Sequence, residues 1–237
     1  MKSSVPLGWV IESFGVEVVL LWTAMLLKKR VVVYSNKVTE LQRLLRVLPA
    51  LVWHRGNWNV MRPYILADDT GLADLQGVYC AGVTEPLESR QDLWDLYVDL
   101  PALSISVASA AKKDFTMTSV HKDLAGALTR AYAHGEGSNT SLVDVISEKT
   151  NGVISKLEIL AEAEVGRVLT AAALQEQLSN AALSHFLFGV ALAERLATDA
   201  AATRGEEEEE EEQEEEEATL PQGVDERVED KTGESDV

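Results

Sequence analysis

Seven residues carry most of the chemistry this chain offers: the cations Lys28, Lys29 and Arg30, and the aromatic and basic side chains Trp53, His54, Arg55 and Trp58. Three adjacent cations suit contact with anionic lipid or with an acidic protein surface. Tryptophan and arginine are preferred anchors of protein interfaces. Both groups also have a purely internal use. Cations at a helix C-terminus are favoured by the helix dipole, and large side chains in a connection pack domain joints. None of the seven forms a bond-making constellation. The sequence has no Gly-x-Gly-x-x-Gly and no Gly-x-x-x-x-Gly-Lys, so no phosphate cradle is visible. It has no Cys-x-x-Cys and no His-Glu-x-x-His for a metal, and no Gly-x-Ser-x-Gly elbow for a serine hydrolase. His54, His121, His134 and His185 fall on different elements and are expected to be surface or half-buried residues. Asp68 and Asp69 sit in turn-like sequence and are expected to cap it. No catalytic residue, cofactor or metal site is expected.

These residues must be positioned by a layered α/β unit. Gly8 to Leu27 reads as one helix, apolar on nearly every side, so it must be covered on every side. Val31 to Tyr34 is a short β-branched run, typical of a buried strand. Ser35 or Asn36 is placed to cap a helix over Thr39–Leu48, whose stripe is Val38, Leu41, Leu44, Leu45 and Leu48 and which Pro49 stops. Val52 to Ile65 reads as an irregular, aromatic-rich connection. Three further strands are expected at Val78–Thr84, Leu93–Leu100 and Leu103–Val107. After Lys112 the period becomes helical. Ser119–His134 presents Val120, Leu124, Leu128 and Tyr132, and 135–139 is a flexible loop. Ser141 to Asp144 resembles a capping box that opens a helix with the stripe Leu142, Ile146, Val153, Ile154, Leu157 and Leu160. Ala181–Ala197 closes the fold, with Leu183, Phe186, Leu187 and Val190 inward.

The fold class is therefore α/β followed by an α-helical part, with three segments expected: an α/β lobe over 1–112, a helical part over 113–204 and a disordered acidic tail over 205–237. The chain of 237 residues has a net charge of −18, but the tail holds 17 acidic and 2 basic residues. Residues before it hold 22 acidic and 19 basic, so the folded part is nearly balanced. This excludes the strongly basic surface that nucleic-acid binding uses. Glu206 to Glu217, interrupted only by Gln213, self-repels and cannot repay its ordering entropy by burial. The single cysteine, Cys80, excludes an internal disulfide framework and is expected to be a small buried apolar residue. Val18–Leu27 is shorter than the roughly 20 residues a membrane span needs. A soluble cytoplasmic protein with at most peripheral membrane association is expected.

Three ordered runs carry a family resemblance: Leu26 to Tyr34 (Leu-Leu-Lys-Lys-Arg-Val-Val-Val-Tyr), Leu48 to Arg55 (Leu-Pro-Ala-Leu-Val-Trp-His-Arg) and Arg90 to Asp95 (Arg-Gln-Asp-Leu-Trp-Asp). Together they resemble the DENN-domain family, well over Glu12–Asp99 and more weakly to Ala197. The resemblance implies a central α/β lobe, here a partial sheet layer, followed by C-terminal helices. It places Met1 where the central lobe begins, so the N-terminal longin-like lobe of the family is expected to be absent. It further implies a guanine nucleotide exchange factor, or its truncated remnant, for a Rab-class small GTPase at late endosomes. The alternative is a non-catalytic scaffold or adaptor in an endosomal complex. Lys28, Lys29, Arg30, Trp53, His54, Arg55 and Trp58 are the candidate partner-binding residues. With a lobe missing, the all-round apolar helix is expected to leave a contiguous apolar patch exposed.

Overall fold

The first apolar stretch does not form one helix. In the computed structural model, which describes residues 6–66, 72–75, 77–133, 138–164 and 168–198, helix α1 (Leu7–Phe14) stops at Gly15. Gly15 adopts φ +56°, a left-handed conformation that glycine enters without a Cβ penalty. A single 3₁₀ turn (Gly15–Glu17) re-aims the chain, and α2 (Val18–Leu26) follows. Leu7–Leu26 is long and apolar enough to cross a membrane by length and composition, but most of it is buried inside the fold. Val18, Val19, Leu21, Trp22, Ala24, Met25 and Leu26 are all in the core, so α2 is enclosed on every side. Along this stretch the exposed large apolar residue is Val16, at the kink. Val16 is 60% exposed beside a groove of about 500 Å³ shared with Leu128 and Tyr132.

The chain then lays down β1 (Val31–Tyr34), whose three valines are buried and whose Tyr34 is half-buried, and α3 (Val38–Leu45). Ser35, not a residue at the helix boundary, organises this turn. Its Oγ accepts from the Lys37 amide at 3.2 Å and donates to Glu40 Oε2 at 3.0 Å. Leu41, Leu44 and Leu45 face the sheet. Pro49 does not end this helix. It lies in the first turn of a separate short helix, α4 (Leu48–Leu51), where its missing N–H has no partner to lose. Beyond it, β2 (Met61–Ile65), β3 (Cys80–Val83), β4 (Leu96–Asp99) and β5 (Ser104–Val107) complete a sheet ordered β2-β3-β1-β4-β5. All pairings are parallel except β4 with β5. Strand β2 falls inside the stretch read as irregular. It is an edge strand with Pro63 at its centre and a shifted register, which the edge tolerates and a central strand would not. Gly82 on β3 permits its close approach, because a Cβ there would lie 2.6 Å from the Pro63 carbonyl oxygen. Cys80 is buried, and burial pushes its thiol up to about 12.

The second half is helical: α5 (Ser119–Ala133), α6 (Asn139–Ala163), α7 (Ala171–Gln177) and α8 (Ala181–Ala193). Helix α6 begins before the expected capping box, at the Ser138 N-cap, whose Oγ accepts the Ser141 amide at 3.2 Å. Helix α7 has no counterpart in the sequence reading, and α8 ends at Ala193, four residues early. Asp68, Asp69, His134 and the acidic tail lie outside the described residues.

Trp22 joins the two halves. Its indole N–H donates to Thr150 Oγ1 of α6 at 2.9 Å. Its ring lies 5.8 Å from His121 of α5 and 5.9 Å from Phe186 of α8. His121 is not a surface or half-buried residue but wholly buried. Its Nδ1 accepts the Thr118 amide at 3.1 Å, leaving Nε2 as the donor, and Nε2 has no hydrogen-bond partner in the structure. Burial therefore lowers its pKa from 6.5 to about 4. The neutral form is required by the fold, so its contribution is present above the unfolded value near 6.5 and is lost as pH falls through about 4. On that basis wild-type protein should lose ~3 kcal/mol more stability between pH 7 and pH 4 than a His121→Gln variant. Urea unfolding of both at each pH measures this. Equal acid sensitivity would show that His121 protonation does not strain the core.

Candidate functional site

Three of the seven candidate residues, Lys28, His54 and Arg55, meet where two helices end. Helix α2 closes with paired backbone bonds from Lys28 N–H to Met25 O at 3.3 Å and from Lys29 N–H to Ala24 O at 2.8 Å. Helix α8 closes the same way, Arg195 to Leu192 at 3.1 Å and Leu196 to Ala191 at 2.8 Å. Both are Schellman caps, which require a left-handed residue and usually carry glycine. Here the residues are Lys28 at φ +53° and Arg195 at φ +62°. Keeping a side chain in that conformation costs roughly 1–2 kcal/mol. Each places a cation at the negative pole of a helix.

The two ends are tied to each other. Lys28 Nζ donates to the Ala193 carbonyl of α8. Arg55 donates to the last carbonyls of α2, Met25 O at 2.7 Å and Leu26 O at 2.6 Å. Its Nε also donates to Glu194 Oε1 at 3.0 Å, and Nη2 reaches the same oxygen. His54 Nε2 lies 3.1 Å from that carboxylate. A short 3₁₀ turn (Trp53–Arg55) aims both side chains inward, and Gly56 in a left-handed conformation turns the chain away. The side chains of Arg55 and Glu194 are only 12% and 16% exposed. Burial pushes the Glu194 carboxyl up, but hydrogen bonds from His54 and Arg55 outweigh it and hold the group at about 2. The Lys28 ammonium is lowered, first by burial and then by the neighbouring Arg55 charge.

The remaining candidates take other partners. Lys29 pairs with Asp114 at 2.6 Å, and Asp114 also holds His185 of α8 at 2.7 Å. Arg30 binds Asp95 through Nη2 at 2.9 Å and through its amide at 2.8 Å, and the Asp92 carbonyl at 2.6 Å. The Asp95 hydrogen bond raises its pKa, against burial. In the third ordered run Arg90 and Asp92 pair on the surface, whereas Trp94 is internal: its Nε1 donates to Leu87 O at 2.9 Å and its ring packs on Tyr97. Trp53 packs against the core, whereas Trp58 is 43% exposed. The structure thus gathers Lys28, His54 and Arg55, separates Lys29 and Arg30 onto their own carboxylates, and leaves Lys28 and Trp58 facing solvent. Beside them a cavity of about 230 Å³ opens, floored by Ala24, Met25, Val52, Val60 and Val78. Glu194, Ala193 and Asp114 were not anticipated. Glu194 and Arg195 interrupt the apolar run of the last helix, and that break was the available signal. Among the described residues no three His, Cys, Asp or Glu side chains converge as a metal site.

A family model described as "SPA: Stabilization of polarity axis" matches residues 6–109. The chain is 39% identical over 193 residues to DENN domain-containing protein 10 of Dictyostelium discoideum, covering 79% of this chain and 53% of that protein. It is 35% identical over 190 residues to the Danio rerio protein of the same name, covering 79% and 54%. For the Homo sapiens protein the identity is 34% over 194 residues, with 79% and 54% covered. The chain is a relative of the DENN-domain proteins. It spans about half the length of the curated relatives it matches.

The joint rests on Arg55. Replacing it with methionine keeps the stem but strands the Leu26 carbonyl, leaves Met25 O with only the Lys28 amide, and takes from Glu194 its main counter-charge. Breaking such a pair should destabilise the protein by about 3 kcal/mol. An Arg55→Met, Glu194→Gln double variant should lose clearly less than the two single losses added. Chemical denaturation of the four proteins forms the cycle, and strict additivity would mean the two side chains do not act as one unit.

Proposed function

We propose that this chain acts as a DENN-type regulator of a Rab-class small GTPase, promoting guanine nucleotide exchange in late endosomal and vesicle trafficking. The observation that carries this reading is the 34–39% identity to DENN domain-containing protein 10 over 79% of the chain. Exchange makes and breaks no covalent bond in the protein. The factor binds the nucleotide-free GTPase more tightly than the loaded one, and that difference drives release. A chain with no acid, base or nucleophile motif suits such work. Lys28 and Trp58, the solvent-facing members of the candidate set, offer a cation and an aromatic anchor to an acidic partner surface.

The internal commitment of Lys29, Arg30 and Arg55 favours a second reading, an adaptor in an endosomal complex that keeps the packing surfaces without exchange activity. The two readings separate on nucleotide dependence. Incubated with a panel of Rab GTPases carrying fluorescent GDP, the chain should accelerate release from at least one member about tenfold, equivalent to ~1.4 kcal/mol of differential binding. A full-length relative serves as the positive control. Unchanged release across the panel, with the control active, would sink the exchange reading. Stable recovery of partners irrespective of nucleotide state would favour the adaptor.

A further inference from the structure

The cavity beside the α2 cap combines an apolar floor with cations. Lys28, Lys29, Arg55 and Asn57 supply its polar wall. Their charges are not equally compensated. Lys29 has Asp114, and Arg55 has Glu194. Lys28 makes its hydrogen bond to a neutral carbonyl, that of Ala193, which leaves two of its three N–H groups for another acceptor. The Asn57 Oδ1 accepts the Asn59 amide at 2.9 Å, so its NH₂ group is also available as a donor. The backbone adds an independent observation. Lys28 occupies a left-handed position where glycine is the unstrained choice, so the fold retains a strained residue whose side chain forms the cavity wall.

We propose that this cavity is a binding pocket for a carboxylate carried on a short apolar body, supplied by a protein partner as an acidic side chain or a chain-terminal carboxylate next to a hydrophobic residue. The carboxylate would lie against Lys28 and Asn57, and the apolar part would cover Met25, Val52 and Val60. The volume of about 230 Å³ suits one anchoring residue and is below the usual size of a drug-like ligand site. A site of this size with one cation that no carboxylate bonds directly reads a single carboxylate, whereas an anionic membrane is read by several cations spread over a face. Burial and then the Arg55 charge lower the Lys28 pKa, the Glu194 carboxylate raises it and Arg195 lowers it again, so the positive charges around Lys28 outnumber the single negative one. That the partner is the GTPase rests on the reading given above; the ligand chemistry of the pocket does not.

Hexanoate is a suitable probe, titrated into the full-length chain while backbone amide shifts are followed by NMR. Saturable shifts are expected at Lys28, Asn57, Val60 and Val78, with millimolar affinity in keeping with about eight heavy atoms. Hexanol and hexylamine should not produce them. Lys28→Gly relieves the left-handed strain and should fold with little change in melting temperature, yet bind hexanoate at least about tenfold more weakly. Asn57→Asp keeps the Oδ1 acceptor for the Asn59 amide and adds a repelling charge, so it should lose binding to a similar degree while folding normally. Absent or non-saturable shifts with hexanoate, equal shifts with hexylamine, or two folded variants that bind like wild type would each overturn the pocket. So would Lys28-dependent binding to phosphatidylserine vesicles without any hexanoate response, which would assign the cation to a membrane. Hexanoate binding together with inactivity toward every Rab would uphold the pocket and remove only the GTPase as its partner.

Discussion

Helix α2 has no polar face, and the architecture follows from that constraint. Burying a large apolar side chain is worth about 1.5–3 kcal/mol, so one bare side of α2 would forfeit an amount comparable to the stability of a domain. The sheet alone covers one side. Helix α4 covers another, and α5, α6 and α8 meet the rest through His121, Thr150 and Phe186 around Trp22. The helical half is thus the lid of the α/β half's central helix. The arrangement also accounts for Gly15. A straight helix from Leu7 to Leu26 would carry its N-terminal residues along the same axis, whereas the kink lets α1 reach α6, where the Gly8 amide donates to Asn139 Oδ1 at 3.0 Å.

Enclosing a helix creates a second problem at its end. The last carbonyls of α2 enter a region of low water access, where an unpaired acceptor is expensive. The C-terminus of α8 arrives at the same spot, so two negative helix poles converge. Lys28, Arg55 and Arg195 bring positive charge to those poles. Glu194 then balances Arg55 within the cluster. Most of the cationic candidate residues are thus used to make the fold possible, and chiefly Lys28 and Trp58 of the set remain exposed.

The parts of this structure legible in the sequence were those decided locally. The β-branched run Val31–Tyr34, the stripe Leu41, Leu44 and Leu45, and the period change after Lys112 each reflect one element meeting one surface, so the pattern sufficed. Strand β2 escaped because its edge position needs no alternating apolar face and admits Pro63. The polar type of His121 suggests partial exposure, but two aromatic rings more than 60 residues away in sequence, one on either side of it along the chain, set its burial. The candidate site divides the same way. Lys28 and Arg55 stood out by type and position, but Glu194 lies 139 residues from Arg55, and no local pattern reports such a pairing.

That separation bears on what a functional surface means here. The residues of the site lie within 6–109, the stretch matched by the family model. Their geometry is nevertheless fixed from beyond it, by Ala193 and Glu194 on the last helix and by Asp114 bridging Lys29 to His185. Arg30 finds its carboxylate, Asp95, within the α/β half, whereas Lys28, Lys29 and Arg55 are held by the Ala193 carbonyl, Asp114 and Glu194 from beyond it. A change in the packing of α8 would therefore be felt at Lys28 without any contact between α8 and a partner, because the lysine's own acceptor is the α8 backbone.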